Sequence, residues 1–220
     1  MARVVITGGN RGIGLALAHV CAAAGDEVLL GVRNPAGASG LPGEVLALDV
    51  SDDGSVAAFA QALAGRPVDI LINNAGISGE RQSGLDIDFP LFLQTLDINA
   101  LGPLRVTQAL LPNLRQAGAA KVAIVSSVMA SFDNPGPDMT PYRASKAAVN
   151  KAAQSIAPGL AKDGIALVVL HPGWVRTDMG GAGADIAPEE SAAGIRTVID
   201  ELTVATTGRF RAYDGSAIGW

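Results

Sequence analysis

Tyr142 and Lys146 stand four residues apart in a stretch with helical spacing, 142–162, so the two share one helix face a turn apart. A tyrosine hydroxyl can give or take a proton, but its ordinary pKa of about 10 keeps it weakly acidic near neutrality. Reversible proton transfer calls for that value to fall by about 2–3 units, or about 3–4 kcal/mol. A cation one turn along is the obvious means, because it favours the charged phenolate. The chemistry served is one that builds negative charge on an oxygen, such as hydride addition to a carbonyl.

Hydride transfer needs a carrier, and the start of the chain offers a place for one. The apolar run RVVI leads into Thr7-Gly8-Gly9-Asn10-Arg11-Gly12-Ile13-Gly14, and that into the helical pattern LALAHVCAAAG. Gly8, Gly12 and Gly14, with Asn10, Arg11 and Ile13 between them, let the backbone turn tightly and approach a pyrophosphate at a helix N-terminus. A glycine pattern alone says little; a strand before it and a helix after it are the context a dinucleotide site demands.

Some 20 residues further on, NAD-preferring sites place an acid against the ribose 2′-hydroxyl. Here the chain reads VLLGVRNP, with Val32 and Arg33 in that region. The planar fork of Arg33 suits a 2′-phosphate, and Arg11 can add a second positive charge. The alternative is that both are ordinary surface arginines. NADP(H) is therefore favoured as cofactor, with NAD(H) the alternative.

Elements must hold these residues in place. Apolar runs at 3–6, 27–32, 44–48, 68–72, 121–125 and 165–170 are continuous rather than alternating, and each reads as a strand buried on both faces. Helical patterns fall near 12–24, 53–64, 89–116, 142–162 and 188–204. This alternation predicts an α/β fold, a single-domain, Rossmann-type doubly wound parallel sheet of about seven strands with helices on both faces. Segment 33–43 is too short and too rich in Gly and Pro for a crossover helix, so a loop or single helical turn is expected there. Pro158 should kink or end the helix at 142–162.

Composition narrows the function classes. The 220 residues are 49% hydrophobic and 17% charged, with a net charge of −5. One domain, 1–220, accommodates that length. Mild acidity without a basic face argues against nucleic acid as a partner and against an anionic membrane surface. No apolar stretch nears the roughly 20 residues that span a bilayer, and glycines break the first apolar run too early for a secretory signal. A cytoplasmic location is expected. Cys21, the single cysteine, reads as a buried inert thiol in an amphipathic helix. The two histidines are far apart and the acids scattered, so no metal site is expected. His171 reads as a hydrogen-bonded structural residue at a strand end, and His19 as a helix residue without a catalytic role.

Taken in order, these motifs resemble the short-chain dehydrogenase/reductase family. TGxxxGxG stands at Thr7–Gly14, NNAG at Asn73–Gly76, an Asn in the long helix at Asn99, Ser-Ser at 126–127, YxxxK at Tyr142–Lys146 and a PG turn at His171–Thr177. The set covers nearly the whole chain. Within the family, VRNP, HPGWVRTDMGG and the ending GRFRAYDGSAIGW resemble the small carbonyl-reductase branch that includes the sniffer and C-factor proteins.

The resemblance implies roles. Tyr142 would be the acid/base, Ser127 would orient the substrate carbonyl, and Lys146 would bind the nicotinamide ribose and lower the tyrosine pKa. Asn99 would hold a helix distortion and a proton-relay water. Ser127 lies 15 residues before Tyr142, further than is usual in the family, which leaves Ser126 open beside it. Asp49, with Val50, resembles the adenine-contacting position, although Asp49 could equally cap the helix beginning near Asp52. Asn73, Ala75 and Gly76 would run beside the adenosine ribose, and Pro172, Gly173, Val175 and Thr177 would border the nicotinamide carboxamide.

Phe132 to Asn134, Trp174 and the segment Met179 to Ile186 are candidate walls for a small carbonyl or alcohol substrate: a neutral ketone, aldehyde or quinone. Two other readings remain: an NAD-dependent alcohol dehydrogenase, or a non-enzymatic cofactor-binding signalling protein on the same fold. A homodimer through the helices at 89–116 and 142–162 is expected, with a tetramer as the alternative.

Overall fold

The computed structural model describes residues 1–79 and 85–220. Among them seven strands form one sheet: β1 (Arg3–Thr7), β2 (Glu27–Val32), β3 (Glu44–Ala47), β4 (Ile70–Asn73), β5 (Lys121–Val125), β6 (Ala166–His171) and β7 (Arg209–Ala212). Their order is β3-β2-β1-β4-β5-β6-β7, and every pairing is parallel. The winding reverses between β1 and β4. In doubly wound sheets that reversal opens a crevice at the carboxyl ends of the strands, and ligands bind there.

Strand residues point alternately to opposite faces, so continuous apolar runs feed two cores. Val5, Leu71, Val122, Ile124, Leu167 and Val169 pack with Phe59 of α2 (Asp53–Ala62), Val106 of α4 (Gly102–Ala109) and Val149 of α6 (Thr140–Lys162). Ile6, Ile72, Ala123, Val168 and Leu170 pack on the other side with Leu17 and Cys21 of α1 (Gly12–Ala23) and Ile195 and Ile199 of α7 (Pro188–Asp200). Cys21 is buried as expected, and burial pushes its thiol pKa up, which keeps it protonated and unreactive. No helix among the described residues is long and apolar enough to cross a membrane.

Four elements depart from the sequence reading. β3 is not buried on both faces: Glu44 and Ala47 are exposed, because only a short turn at Pro35–Gly37 joins β2 to β3 and no crossover helix covers that edge. β7 lies outside the six apolar runs, since Arg209 and Arg211 interrupt it at the opposite edge. The expected helix at 89–116 is three helices, α3 (Phe89–Leu96), α4 and α5 (Leu111–Ala117), with a π-helical segment at Asp97–Leu101. Each of the three carries a proline in its first turn, where the missing N–H costs least. Pro158, by contrast, does not end α6. It faces solvent between buried Ala157 and Leu160, which hold the last turn down while water can satisfy the carbonyl left free.

Candidate active site

The glycine turn is built by sterics. Gly8 and Gly12 take φ of 68° and 53°, a left-handed region that suits glycine. Thr7 accepts from the backbone N–H groups of Asn74 and Ala75 at 3.0 and 2.9 Å through its hydroxyl. The Asn74 amide in turn donates to the carbonyls of Thr7 and Gly8. This clasp joins the ends of β1 and β4 at the switch point.

A Cβ on Gly14 would lie 2.3 Å from the Gly8 carbonyl oxygen and 2.5 Å from Asn74 Nδ2. Gly14→Ala is therefore expected to destabilise the fold by roughly 1–3 kcal/mol and to weaken dinucleotide binding. Thermal melting and an NADPH fluorescence titration check this; an unchanged Kd would show that the turn tolerates the shift.

A cleft of about 530 Å³ runs from this turn past the ends of β2 and β4 to α6. Gly8, Asn10, Arg11, Gly12, Ile13, Arg33, Asp49, Val50, Ala75, Gly76, Tyr142, Lys146, Pro172 and Thr177 all line it. Asn74 and Asp178, given no role in the sequence reading, line it too, as does Met179 from the candidate substrate wall.

Several expected contacts lie elsewhere. Gly14 sits beneath the turn, against Gly8 and Asn74. Asn73 is 2% exposed and donates to Thr107 of α4 at 3.1 Å, because its side chain points into the core layer; its neighbour Asn74 takes the place at the cleft. Gly173 packs against Ile186 and Tyr213, and Val175 is buried in a bridge to Ile186, so both stand behind the wall.

Asp49 accepts from the backbone and hydroxyl of Ser51, which holds its pKa down, and Asp52 is the residue that caps α2. Arg33 is exposed on the rim. Arg11 meets Asp178 at 3.2 Å across the cleft mouth.

The fit to a dinucleotide can be judged from α1. Its N-terminus has no capping side chain and no acidic residue in the first turn, so its N–H groups and dipole are left for an anion. The residues present fit a pyrophosphate there.

Toward the far end of the cleft, Ser127 is near enough to the Tyr142 hydroxyl to pull its pKa down, while its own oxygen accepts from the Met129 N–H at 3.2 Å. Ser126 lines the cleft but donates to Asn150 Oδ1 at 2.6 Å, whereas Ser127, outside the lining, is the serine that acts on the Tyr142 pKa. Lys146 is 5% exposed; its ammonium donates to the Val125 carbonyl at 2.8 Å and lies 5.7 Å from the Tyr142 ring centre. Burial brings its pKa down to about 8.

Tyr142 differs from expectation. Burial pushes its pKa up, with Ser127 pulling the other way, rather than Lys146 bringing it down. The ammonium faces the ring and a carbonyl, not the hydroxyl.

Asn99 lies in the π segment, fully buried, away from the cleft. Its carbonyl accepts from the Ile77 N–H at 2.9 Å, and its amide donates to the Ile77 carbonyl and to Ser145 at 2.8 and 3.0 Å. Ser145 passes the link on to the Tyr142 carbonyl at 2.7 Å. Pro103, four residues on, has no N–H to offer the Asn99 carbonyl, which is consistent with the local widening of the helix.

His171 ends β6 with its Nδ1 buried and unpaired rather than hydrogen-bonded as expected, and burial lowers its pKa to about 4. The unfolded chain takes up that proton near pH 6.5 and the folded one refuses it until about pH 4, so stability falls with pH across that window, by up to about 3 kcal/mol. His171→Gln should flatten this part of the profile. Melting curves at pH 7 and pH 4.5 for both proteins check it, and parallel losses would contradict it.

Residues 2–185 match the family model for short chain dehydrogenase. The chain belongs to the short-chain dehydrogenase family. The C-signal protein of Myxococcus xanthus is 46% identical over 164 residues, 74% of this chain and 99% of that one. The carbonyl reductase Sniffer of D. melanogaster superimposes with a TM-score of 0.92 at 29% identity, covering 100% of both chains. The NADPH-bound carbonyl reductase from chicken fatty liver gives 0.89 at 30% identity, covering 100% of this chain and 99% of that one. This short-chain dehydrogenase is thus an oxidoreductase of the sniffer and C-factor-like branch. Thr7, Asn74 and Ser145, which position its site, were passed over in the sequence although each sits inside a recognised motif.

Proposed function

We propose that the protein is an NADP(H)-dependent oxidoreductase that moves a hydride between nicotinamide and a small carbonyl or alcohol substrate, with Tyr142 as acid/base. The observation that carries this is the cleft itself, which joins an anion-ready helix start to the side chains of Tyr142 and Lys146. The start of α1 would hold the pyrophosphate. Arg33 and Arg11 would meet the 2′-phosphate, Asp49 and Val50 the adenine, and Ala75 and Gly76 the adjoining ribose. Lys146 would hold the nicotinamide ribose, with Pro172 and Thr177 by the carboxamide. The bound nicotinamide supplies or accepts the hydride.

Ser127 orients the substrate oxygen. Tyr142, kept protonated by burial, gives its proton to that oxygen as charge builds there. A raised tyrosine pKa favours reduction at neutral pH over alcohol oxidation. NADP(H) over NAD(H) is supported by the absence of an acid at the end of β2, by Arg33 on the rim and by the NADPH-bound relative. Exposed Phe89 and Leu93, one turn apart on α3, support a homodimer through that region, and we place the protein in the cytoplasm.

The test follows NADPH consumption with a panel of ketones, aldehydes and quinones. Turnover that declines at alkaline pH, while alcohol oxidation rises, is the expected result. Tight NADPH binding without turnover on any of them would overturn the reading.

A further inference from the structure

Arg143, next to Tyr142 on α6, is spent on the protein itself. Its Nη1 donates to the Asn134 carbonyl at 3.0 Å and its Nε to the Asp138 carbonyl at 2.9 Å, while Nη2 stands 3.6 Å from the Asp138 carboxylate. A Cβ on Gly136 would overlap the same guanidinium, 2.0 Å from Nη2. The loop Asn134-Pro135-Gly136-Pro137-Asp138 therefore wraps around the arginine head as its core. Two of its five residues are prolines without an N–H, so the loop has few backbone donors with which to fix itself.

Each end of this loop leads to a residue of the site. On the N-terminal side, Asn134 bonds back to the Ser131 and Val128 carbonyls, in the turn that starts from Ser127. Phe132, 87% exposed, lies on that stretch. On the C-terminal side, the loop runs into Met139, whose φ of 55° is the one positive value at a non-glycine among the described residues. The Met139 carbonyl accepts from the Arg143 N–H at 2.9 Å, and the helix bearing Tyr142 begins one residue later. A strained residue three positions before Tyr142 persists only if its surroundings hold it.

We propose that Arg143 is a positioning residue that sets which carbonyl substrates reach Tyr142, by fixing the loop 134–138 and with it the exposed stretch around Phe132. The inference rests on the oxidoreductase reading given above. Its guanidinium is occupied by carbonyls, so Arg143 does not bind substrate anions. Lysine cannot replace it, since one ammonium cannot reach two carbonyls four residues apart and also lie flat against Gly136.

The experiment compares wild type, Arg143→Lys and Arg143→Ala on a short aliphatic aldehyde and a bulky aryl ketone, with NADPH binding measured separately. Arg143 does not line the dinucleotide cleft, so NADPH Kd should hold. KM for the aryl ketone should rise on the order of tenfold against that for the aldehyde, in both variants, and added ethylguanidinium should bring Arg143→Ala back toward wild type. Equal changes for both substrates, or rescue by lysine alone, would overturn the proposal. If wild type turns over no carbonyl, the oxidoreductase reading fails by itself. Amide hydrogen exchange then decides the loop role: faster exchange confined to 128–139 in Arg143→Lys supports it, and unchanged exchange there overturns it.

Discussion

Replacing Tyr142 by phenylalanine is expected to lower carbonyl reduction by a factor on the order of 10²–10⁴ while leaving NADPH affinity close to wild type. The two side chains differ by one hydroxyl, so the ring keeps its packing at the start of α6. Losing one hydroxyl's hydrogen bonding costs roughly 1 kcal/mol at most and does not threaten the fold. The binding side is untouched, because the glycine turn, Arg33 and Lys146 all remain.

What disappears is the proton. Burial raises the Tyr142 pKa, so at neutral pH the wild-type hydroxyl carries a proton it can release only as negative charge builds on a partner oxygen. Steady-state NADPH consumption and a fluorescence titration, run on both proteins, test the split between turnover and binding. A variant keeping a tenth of the activity would show that the proton comes from elsewhere.

The Tyr142 end of the cleft was legible because YxxxK is local: helix geometry alone places Tyr142 and Lys146 on one face. The glycine turn was legible for a similar reason, since a strand, a run of glycines and a helix follow one another without interruption. The interior strands read clearly because their central residues are continuously apolar, with polar ones such as Arg3, Glu27 and Lys121 only at their ends. Edges did not. Glu44 in β3 and Arg209 and Arg211 in β7 are tolerated where one side of a strand faces water, and that exposure depends on tertiary neighbours no local pattern reveals.

The same limit explains the misplaced site residues. Asn73 and Asn74 are adjacent and chemically identical, yet strand alternation sends one into the core and the other to the turn. The break in the long helix at Asp97–Leu101 depends on Asn99 reaching Ile77 and Ser145, contacts that span 22 and 46 residues. Proline positions carried part of that information: Pro90, Pro103 and Pro112 mark three helix starts, whereas Pro158, on the solvent side of an anchored last turn, does not mark an end. The tyrosine pKa was the one misjudged quantity with a mechanistic consequence. Helix spacing put a cation beside the ring, but the partner the ammonium takes, the Val125 carbonyl, comes from a strand 21 residues away.

Lys146→Met should separate stability from activity in opposite directions. The lysine is buried, and its pKa in the folded protein is about 8 against an ordinary 10.5. At neutral pH both folded and unfolded chains carry the proton, so folding bears the full burden of desolvating the charge, about 3 kcal/mol. As pH rises past 8 the folded protein sheds the proton first, and the burden fades until both states are neutral above 10.5. Methionine fills a similar volume without a charge, and its loss is the hydrogen bond to the Val125 carbonyl, worth about 1 kcal/mol. The variant is therefore expected to be more stable than wild type by about 2 kcal/mol near pH 7, with an advantage that shrinks and then reverses as pH approaches 10.5. For a chain of this size, each kcal/mol corresponds to roughly 2–4 °C in Tm. Carbonyl reduction should drop at the same time by about 100-fold or more, because the ammonium beside Tyr142 and the contact offered to the nicotinamide ribose are both gone, and NADPH Kd should rise with it. Melting curves across pH 6 to 10, read beside NADPH titrations, decide the matter. A methionine variant that melts lower than wild type at pH 7 would mean that the buried ammonium holds the fold together as well as serving the site, and that its hydrogen bond outweighs its desolvation.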